Sequence, residues 1–150
     1  MYSFEDIVEG SPDHISHADF LRTPEMQSLY DAHKVETLHK YASLDDYIMR
    51  KVFQCGCFSE NDGKIRAIPP PEEPVLMAWT PNRFPYDLDT NIQHFLIWSN
   101  RALSKDEIIS CIHKNVSDSF KTKVHWFENA VEFRTIPKIN HVHVFVDTSS

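Results

Sequence analysis

Two histidines alternate with valines near the end of the chain, in the run "HVHVFV". Successive side chains of a β-strand point to opposite faces, so Val142, Val144 and Val146 share one face. His141 and His143 share the other face. The valines predict a buried apolar stripe, whereas the two imidazoles can bind a ligand or lie on a partly hydrated sheet face. The histidine face is therefore the first candidate for a functional site.

A third histidine occurs in the run "NIQHFLIWS", where His94 shares a face with Leu96 and Trp98. If the two strands are neighbours, the imidazole of His94 lies close to those of His141 and His143. The candidate ligand-binding site adds aromatic, amide and cationic side chains from nearby positions. Its members are His94, Trp98, Trp126, Asn129, Arg134, His141 and His143.

Aromatic residues are concentrated in and around the loop "PNRFPYDL". Phe84, Tyr86, Trp98, Trp126 and Phe127 can form the wall of a pocket for a sugar or a base, because aromatic faces pack on such rings. The alternative is a small apolar core beneath the loop. Composition alone leaves both interpretations open.

Two sets of residues invite a comparison with metal sites. One is the three strand histidines, and the other is a Cys₃His set formed by Cys55, Cys57, Cys111 and His113. The cysteine set has one residue between neighbouring ligands, whereas structural zinc sites usually have two or more. The histidine set has no carboxylate at a matching position. We expect no bound metal, and no Gly-rich phosphate loop or other motif predicts a cofactor.

The predicted secondary structure that would position these residues differs between the two halves of the chain. Residues 1–58 are predicted to be helical, residues 59–74 to form a Pro-rich connection, and residues 75–150 to be rich in strands. At 150 residues the chain has the size of one domain. We expect a single α+β domain with the helical N-terminal half packed on a mostly antiparallel sheet, and with one helix embedded among the strands.

Capping residues mark the predicted helices. Thr23 and Pro24 begin "TPEMQSLYDAHKVETLHKY", and Ser43 begins a second helix that Gly56 should end. Ser104 begins the embedded helix "SKDEIISCIHKNVSDSF". "SHADFLR" is expected to form a short helical turn. The predicted strands are "VLMAW", "NIQHFLIWS", "KVHWFEN" and "NHVHVFV".

Charge and composition exclude several functions and locations. The net charge of −7 and the lack of a basic stripe argue against nucleic acid as a partner. No basic, apolar leader and no run of about 18 apolar residues predicts secretion or membrane insertion. The three cysteines are an odd number, which favours a reducing compartment, so we expect a cytoplasmic protein. A protein partner or a homo-oligomer remains open.

The second half of the chain resembles the N-acetylglucosamine-induced protein family, whose members are mostly fungal. The resemblance rests on "PNRFPYDLDTNIQHFLIWSN", "LSKDEI" and "HWFENAVEFRTIPKINHVHVFV". It extends more loosely to "DFLRTPEMQSLYDAHK" and "YASLDDYIMRKVF" in the first half. Ala130 stands where the family has proline. The resemblance implies a common fold and a recurrent set of residues, but no reaction.

The run "HVHVF" is also similar to part of the histidine-triad signature, in which strand histidines face a phosphate. That similarity makes His143 the candidate nucleophile, with Asn129 or Asn140 contacting the ligand. Phe145 stands in the place of the third histidine, and a phenyl ring cannot orient an attacking imidazole. The similarity therefore implies phosphate binding more directly than catalysis.

These observations favour two functions. The first is a small-molecule site for a phosphorylated or nucleotide-sugar ligand, with or without turnover. The second is a non-catalytic protein that binds another protein through its aromatic surface. A concave pocket on the histidine face would favour the first, and a histidine face that is fully covered would favour the second.

Overall fold

A computed structural model of the chain describes residues 1–17, 19–116, 122–129 and 139–149. Its four helices are α1 (Phe4–Gly10), α2 (Pro24–Lys40), α3 (Leu44–Phe53) and α4 (Lys105–Asn115). Its strands are β1 (Ile15–Ser16), β2 (Cys57–Ser59), β3 (Ile65–Ala67), β4 (Met77–Pro81), β5 (Ile92–Ser99), β6 (Lys123–Asn129) and β7 (Asn140–Asp147). None of the helices in these residues is long and apolar enough to cross a membrane.

The main sheet has five strands in the order β1-β6-β7-β5-β4. The short β1 runs parallel to β6, and the other neighbouring pairs are antiparallel. Strands β2 and β3 form a separate two-stranded sheet. The fold is α+β with a mostly antiparallel sheet, as the sequence predicts, and α4 is the helix embedded among its strands.

The helices begin where their capping residues predict. The hydroxyl of Thr23 accepts from the Met26 N–H at the start of α2, and Ser104 forms a capping box with Glu107 at the start of α4. Helix α3 begins after Ser43 but ends earlier than expected. Gln54 takes the left-handed conformation with φ 55°, so the helix ends before Gly56 is reached.

Two predictions about the first half are wrong. The expected Pro-rich connection contains most of the β2–β3 hairpin, whose turn uses Gly63 at φ 74°. The hairpin leaves residues 68–74 as the connection. The segment "SHADFLR" has no helical turn among its described residues, because Ser16 pairs with Asn129 at the edge of the sheet instead. Neither helix α1 nor strand β1 is among the elements predicted from the sequence.

The valine face of β7 packs against α4. Val142, Val144 and Val146 are buried in one cluster with Ile108 and Ile112 of that helix. The predicted burial of the valine stripe is therefore confirmed. The hydrophobic effect fixes which side of β7 faces α4, and so it also fixes the direction of the histidines.

The other face of the sheet is covered by the N-terminal helices at its two ends. At one end, Ile48 and Met49 of α3 pack with Leu96 and Trp98. At the other end, Ile7 of α1 belongs to a second cluster, together with Phe20, Tyr86, Ile92, Phe127 and Phe145. The histidine face lies between these two apolar clusters.

Candidate functional site

Strand register brings the histidines of β5 and β7 together. His143 is paired with Leu96 of β5, and His141 with Trp98, so these side chains point to the same face as His94. Nε2 of His94 lies 2.8 Å from Nδ1 of His143, which is a hydrogen-bond distance. The ring centroids of His141 and His143 are 5.4 Å apart. The three imidazoles therefore form one cluster on the sheet.

Strand β6 adds an amide to this cluster. Phe127 is paired with His143, and Asn129 lies two residues farther along the same face. The side-chain nitrogen of Asn129 is 3.3 Å from Nε2 of His143. Asn129 also forms a side-chain hydrogen bond with Tyr86. The outer nitrogen of His143 thus faces an amide and the tyrosine behind it.

The loop after β4 surrounds the other side of His94. The backbone N–H of Tyr86 donates to Nδ1 of His94 at 3.4 Å. The side-chain nitrogen of Asn82 lies 3.4 Å from Nδ1 and 3.3 Å from Nε2 of the same ring. The oxygen of the Asn82 side chain accepts from the Phe84 N–H at 2.9 Å, which fixes the orientation of the amide.

A cavity of about 310 Å³ lies between the histidine face and the helices α2 and α3. The sheet contributes Thr80, Leu96, Trp98, His141 and His143 to its floor. The volume falls at the lower end of the roughly 300–1,000 Å³ that is usual for small-molecule sites. The remaining lining residues are Asn129 of β6 and residues from helix α2, helix α3, the segment 19–22 and the segment 81–86.

The cavity carries far more positive charge than the chain as a whole. Its lining includes the basic residues Arg22, Lys34, Lys51 and Arg83. Asp19 is the one carboxylate among the described lining residues. The guanidinium carbon of Arg22 lies 4.1 Å from the centroid of the Tyr30 ring. An anionic group would find complementary charge here.

Aromatic rings from α2, α3 and the loop form one wall of the cavity. The Phe84 ring lies 5.2 Å from that of Tyr30 and 5.1 Å from that of His33, between centroids. Tyr47 of α3 meets the His33 ring edge-on at 5.2 Å. Such a wall can pack against a sugar or base ring.

Burial keeps the central histidines uncharged. It lowers the pKa of His94 to about 3, with a smaller contribution from the Arg22 charge. Burial, followed by the nearby His94 and His141, lowers the pKa of His143 well below its ordinary value. Burial also raises the pKa of Tyr86 to about 12. The interior of the site is therefore neutral, and the fixed charge comes from Arg and Lys around it.

The predicted site residues do not all meet. Trp98, Asn129, His141 and His143 line the cavity, while His94 lies behind His143 in the chain of hydrogen bonds. Trp126 is paired with Val144 and packs on the valine face, so the sheet separates it from the cavity. Arg134 lies outside the described residues.

The cysteines lie apart from the histidines. Cys111 is buried in the cluster beneath α4, Cys55 packs beside α3, and Cys57 is exposed on the hairpin. Among the described residues, no three His, Cys, Asp or Glu side chains are grouped so that they could hold a metal ion. That the protein binds no metal therefore stays a prediction, which elemental analysis of the purified protein would test.

Sequence reasoning missed the cations and most of the aromatic wall. Arg22, Lys34, Lys51 and Arg83 are separated along the chain and form no run, so no local pattern marks them. The loop "PNRFPYDL" was a usable signal, because it supplies both Phe84 and Tyr86 to the cavity. Tyr86 belongs to the packed core as well.

Comparisons with known proteins identify a family without a known activity. None of the curated proteins matches the chain. A solved structure described as "Crystal Structure of HTC1" is 21% identical, with a TM-score of 0.63, and the match covers 99% of this chain and 86% of that one. At this identity the likeness concerns the fold alone. A family described as "Protein of unknown function (DUF3605)" matches residues 13–147, and the chain belongs to that family.

Proposed function

We propose that the cavity on the histidine face binds a small phosphorylated organic molecule, such as a sugar phosphate or a nucleotide sugar. The observation that carries the proposal is the charge of the cavity. Four basic side chains and one carboxylate surround it among the described residues, in a chain of net charge −7. Such a local reversal of sign favours an anionic ligand.

Arg22 is the most specific of these cations. Its Nε donates to the Phe84 carbonyl oxygen at 2.7 Å, and its guanidinium packs over Tyr30, so its geometry is held before any ligand arrives. Among the described residues, no carboxylate lies within ion-pair distance of its guanidinium. A guanidinium in that setting is suited to a phosphate group.

The rest of the cavity suits the organic part of such a ligand. The rings of Tyr30, Phe84 and Tyr47 offer a flat apolar wall. The floor offers the imidazole of His143 and the amide of Asn129 as polar contacts. A volume of about 310 Å³ suits a sugar phosphate better than a nucleotide sugar, which is considerably larger.

We also propose a more specific family assignment for the chain. The resemblance to the N-acetylglucosamine-induced proteins is compatible with membership of the DUF3605 family. We propose that the chain is one of these proteins and that it acts in the cytoplasm. Neither the resemblance nor the DUF3605 family specifies a ligand, so the proposed class of ligand rests on the cavity alone.

The alternative function, a non-catalytic protein that binds another protein, has weaker support. The histidine face lies under α2 and α3, but a cavity separates it from them. That arrangement favours a small ligand, because the aromatic residues that would dock a partner line the cavity instead. The two remaining candidates are also buried, Trp126 on the valine face and Phe127 in the apolar cluster with Phe20 and Phe145.

Calorimetric titration tests the proposal with three probes: glucose 6-phosphate, inorganic phosphate and glucose. We expect the phosphorylated sugar to bind most tightly and glucose to bind weakly or not at all. Arg22→Gln should weaken the binding of glucose 6-phosphate by roughly 10- to 150-fold, the range for a lost charged hydrogen bond.

Helix α2 offers a matched control for the charge effect. Lys34 lines the cavity, whereas Lys40 is exposed at the end of the same helix. Lys34→Gln should weaken binding, and Lys40→Gln should leave it nearly unchanged. Equal losses in both variants would show a nonspecific effect of net charge, and failure of every phosphorylated probe would refute the proposal.

A further inference from the structure

We infer that the loop from Asn82 to Tyr86 sets the tautomers of both buried histidines, so that His143 presents an N–H group at the cavity floor. His143 then acts as a hydrogen-bond donor to an oxygen of the ligand, and not as a nucleophile or a base. His94 is a positioning residue that acts through His143. The statement about the ligand rests on the proposed function, whereas the statement about the tautomers does not.

The first step concerns Nδ1 of His94. The backbone N–H of Tyr86 points at this nitrogen from 3.4 Å. A backbone amide can only donate, so Nδ1 must offer its lone pair. A neutral imidazole carries one proton, which places the proton of His94 on Nε2.

Asn82 presents a second donor to the same ring. Its side-chain oxygen already accepts from the Phe84 N–H at 2.9 Å, so its nitrogen end is the one that faces His94. That nitrogen lies 3.4 Å from Nδ1 and 3.3 Å from Nε2, so the choice between the two tautomers rests on the Tyr86 N–H. The loop thus presents two donors and no acceptor to this side of the ring.

The second step concerns His143. With its proton on Nε2, His94 donates to Nδ1 of His143 across 2.8 Å. Nδ1 of His143 therefore acts as an acceptor, and the proton of this second neutral ring lies on Nε2. Nε2 is the nitrogen that faces Asn129 at 3.3 Å, on the side of the cavity.

This arrangement determines how Asn129 is oriented. The NH₂ group of Asn129 lies 3.3 Å from Nε2 of His143, whereas an N–H group at that nitrogen requires an acceptor. The assignment therefore requires a half-turn of the amide, which brings the oxygen of Asn129 to Nε2 and turns its NH₂ group away. Tyr86 forms a side-chain hydrogen bond with the same amide.

As a consequence, Nε2 of His143 can donate a hydrogen bond but cannot accept one. A protonated Nε2 has no lone pair in the ring plane with which to attack phosphorus or remove a proton. It can donate its one hydrogen bond to a phosphoryl, carbonyl or hydroxyl oxygen of a ligand that replaces or shares the Asn129 oxygen as the acceptor. The similarity to the histidine triad, which makes His143 a nucleophile, conflicts with this direction.

Long-range ¹H–¹⁵N spectra of histidine-labelled protein measure the tautomers directly, without a ligand. The variants His94→Gln and His143→Gln assign the two residues among the nine histidines. We expect protonated Nε2 and unprotonated Nδ1 for both at neutral pH. A wild-type His143 with protonated Nδ1 and bare Nε2 would overturn the inference, whether or not a phosphorylated sugar binds.

A substitution in the loop tests its control of the tautomers. Asn82→Ala removes the side-chain donor and keeps the Tyr86 N–H, so Nδ1 of His94 should stay unprotonated. Asn61→Ala, in the exposed turn of the hairpin, should leave both histidines unchanged. Protonation of Nδ1 of His94 in the Asn82→Ala protein would contradict control by the backbone of the loop.

A chemical probe tests the excluded role of His143. The wild-type protein is incubated with acetyl phosphate, whose phosphoryl group a nucleophilic imidazole would take up as acetate departs. We expect no increase in mass at His143. A phosphorylated His143 would show that Nε2 presents a lone pair, and would overturn the assignment.

Discussion

At the scale of single residues, the site combines buried neutral histidines with cations around the cavity. Burial would destabilise an unpartnered imidazole, but His94 and His143 are hydrogen-bonded to each other. Among the described residues, every buried side-chain nitrogen or oxygen has a hydrogen-bond partner. The burial of His94 and His143 is thus explained by their contacts with each other and with the loop, and His143 keeps one nitrogen toward the cavity.

The neutral histidines should make the fold sensitive to acid. His94 takes up a proton near pH 3 when folded, against an ordinary pKa of 6.5. Below pH 6.5 the unfolded chain binds more protons, so stability should fall as pH decreases from 6.5 toward 3. We expect His94 to lower the free energy of unfolding by about 2 kcal/mol between pH 7 and pH 5, measured by urea denaturation.

The variant His94→Gln is the control, because glutamine does not titrate and can still donate to His143. Its loss of stability between the same two pH values should be smaller than that of the wild type. Equal losses in the two proteins would show that His94 is not the buried neutral group described above.

At the scale of elements, the valine stripe determines the orientation of the site. Val144 has no exposed surface and is paired with Trp126 and Phe95 in neighbouring strands. The packing of this face against α4 places His141 and His143 on the other side. A change in the valine face should therefore reduce stability without changing the residues that line the cavity.

Truncation of the stripe tests this account. Val144→Ala should lower the free energy of unfolding by roughly 1–3 kcal/mol through lost burial and a new cavity. Val35→Ala on α2, where the side chain is 60% exposed, should change it by less than about 0.5 kcal/mol. Similar small effects in both variants would show that β7 is turned the other way.

Periodicity and capping predicted much of the fold. The bounds of β6 match the predicted run, and those of β5 and β7 match to within a residue, because alternation persists over seven or eight positions. The β2–β3 hairpin was missed because its strands have three residues each and lie beside a Pro-rich run. Short elements carry too little pattern to be recognised.

The site could be predicted only where strands supply it. His94, Trp98, Asn129, His141 and His143 lie at positions of one sheet face, which alternation identifies. Arg22, Lys34, Lys51 and Arg83 reach the cavity from two helices and two loops, and their meeting depends on tertiary packing. Trp126, a predicted member of the ligand-binding site, lies on the valine face because it stands one residue before Phe127, which faces the histidines.

At the scale of the whole molecule, charge is distributed unevenly. The chain is acidic overall, with a net charge of −7, yet the cavity lining is basic. A basic concavity on an acidic protein attracts small anions while the remaining surface repels larger polyanions. This distribution supports the central claim that the cavity binds a small phosphorylated molecule.

The three tryptophans allow that claim to be tested in one spectrum. Trp98 lines the cavity, whereas Trp79 and Trp126 pack on the valine face. When ¹⁵N-labelled protein is titrated with glucose 6-phosphate, we expect the indole N–H signal of Trp98 to shift until it saturates. The signals of Trp79 and Trp126 should stay in place. A saturating shift of Trp126 without one of Trp98, or no shift at all, would contradict the account.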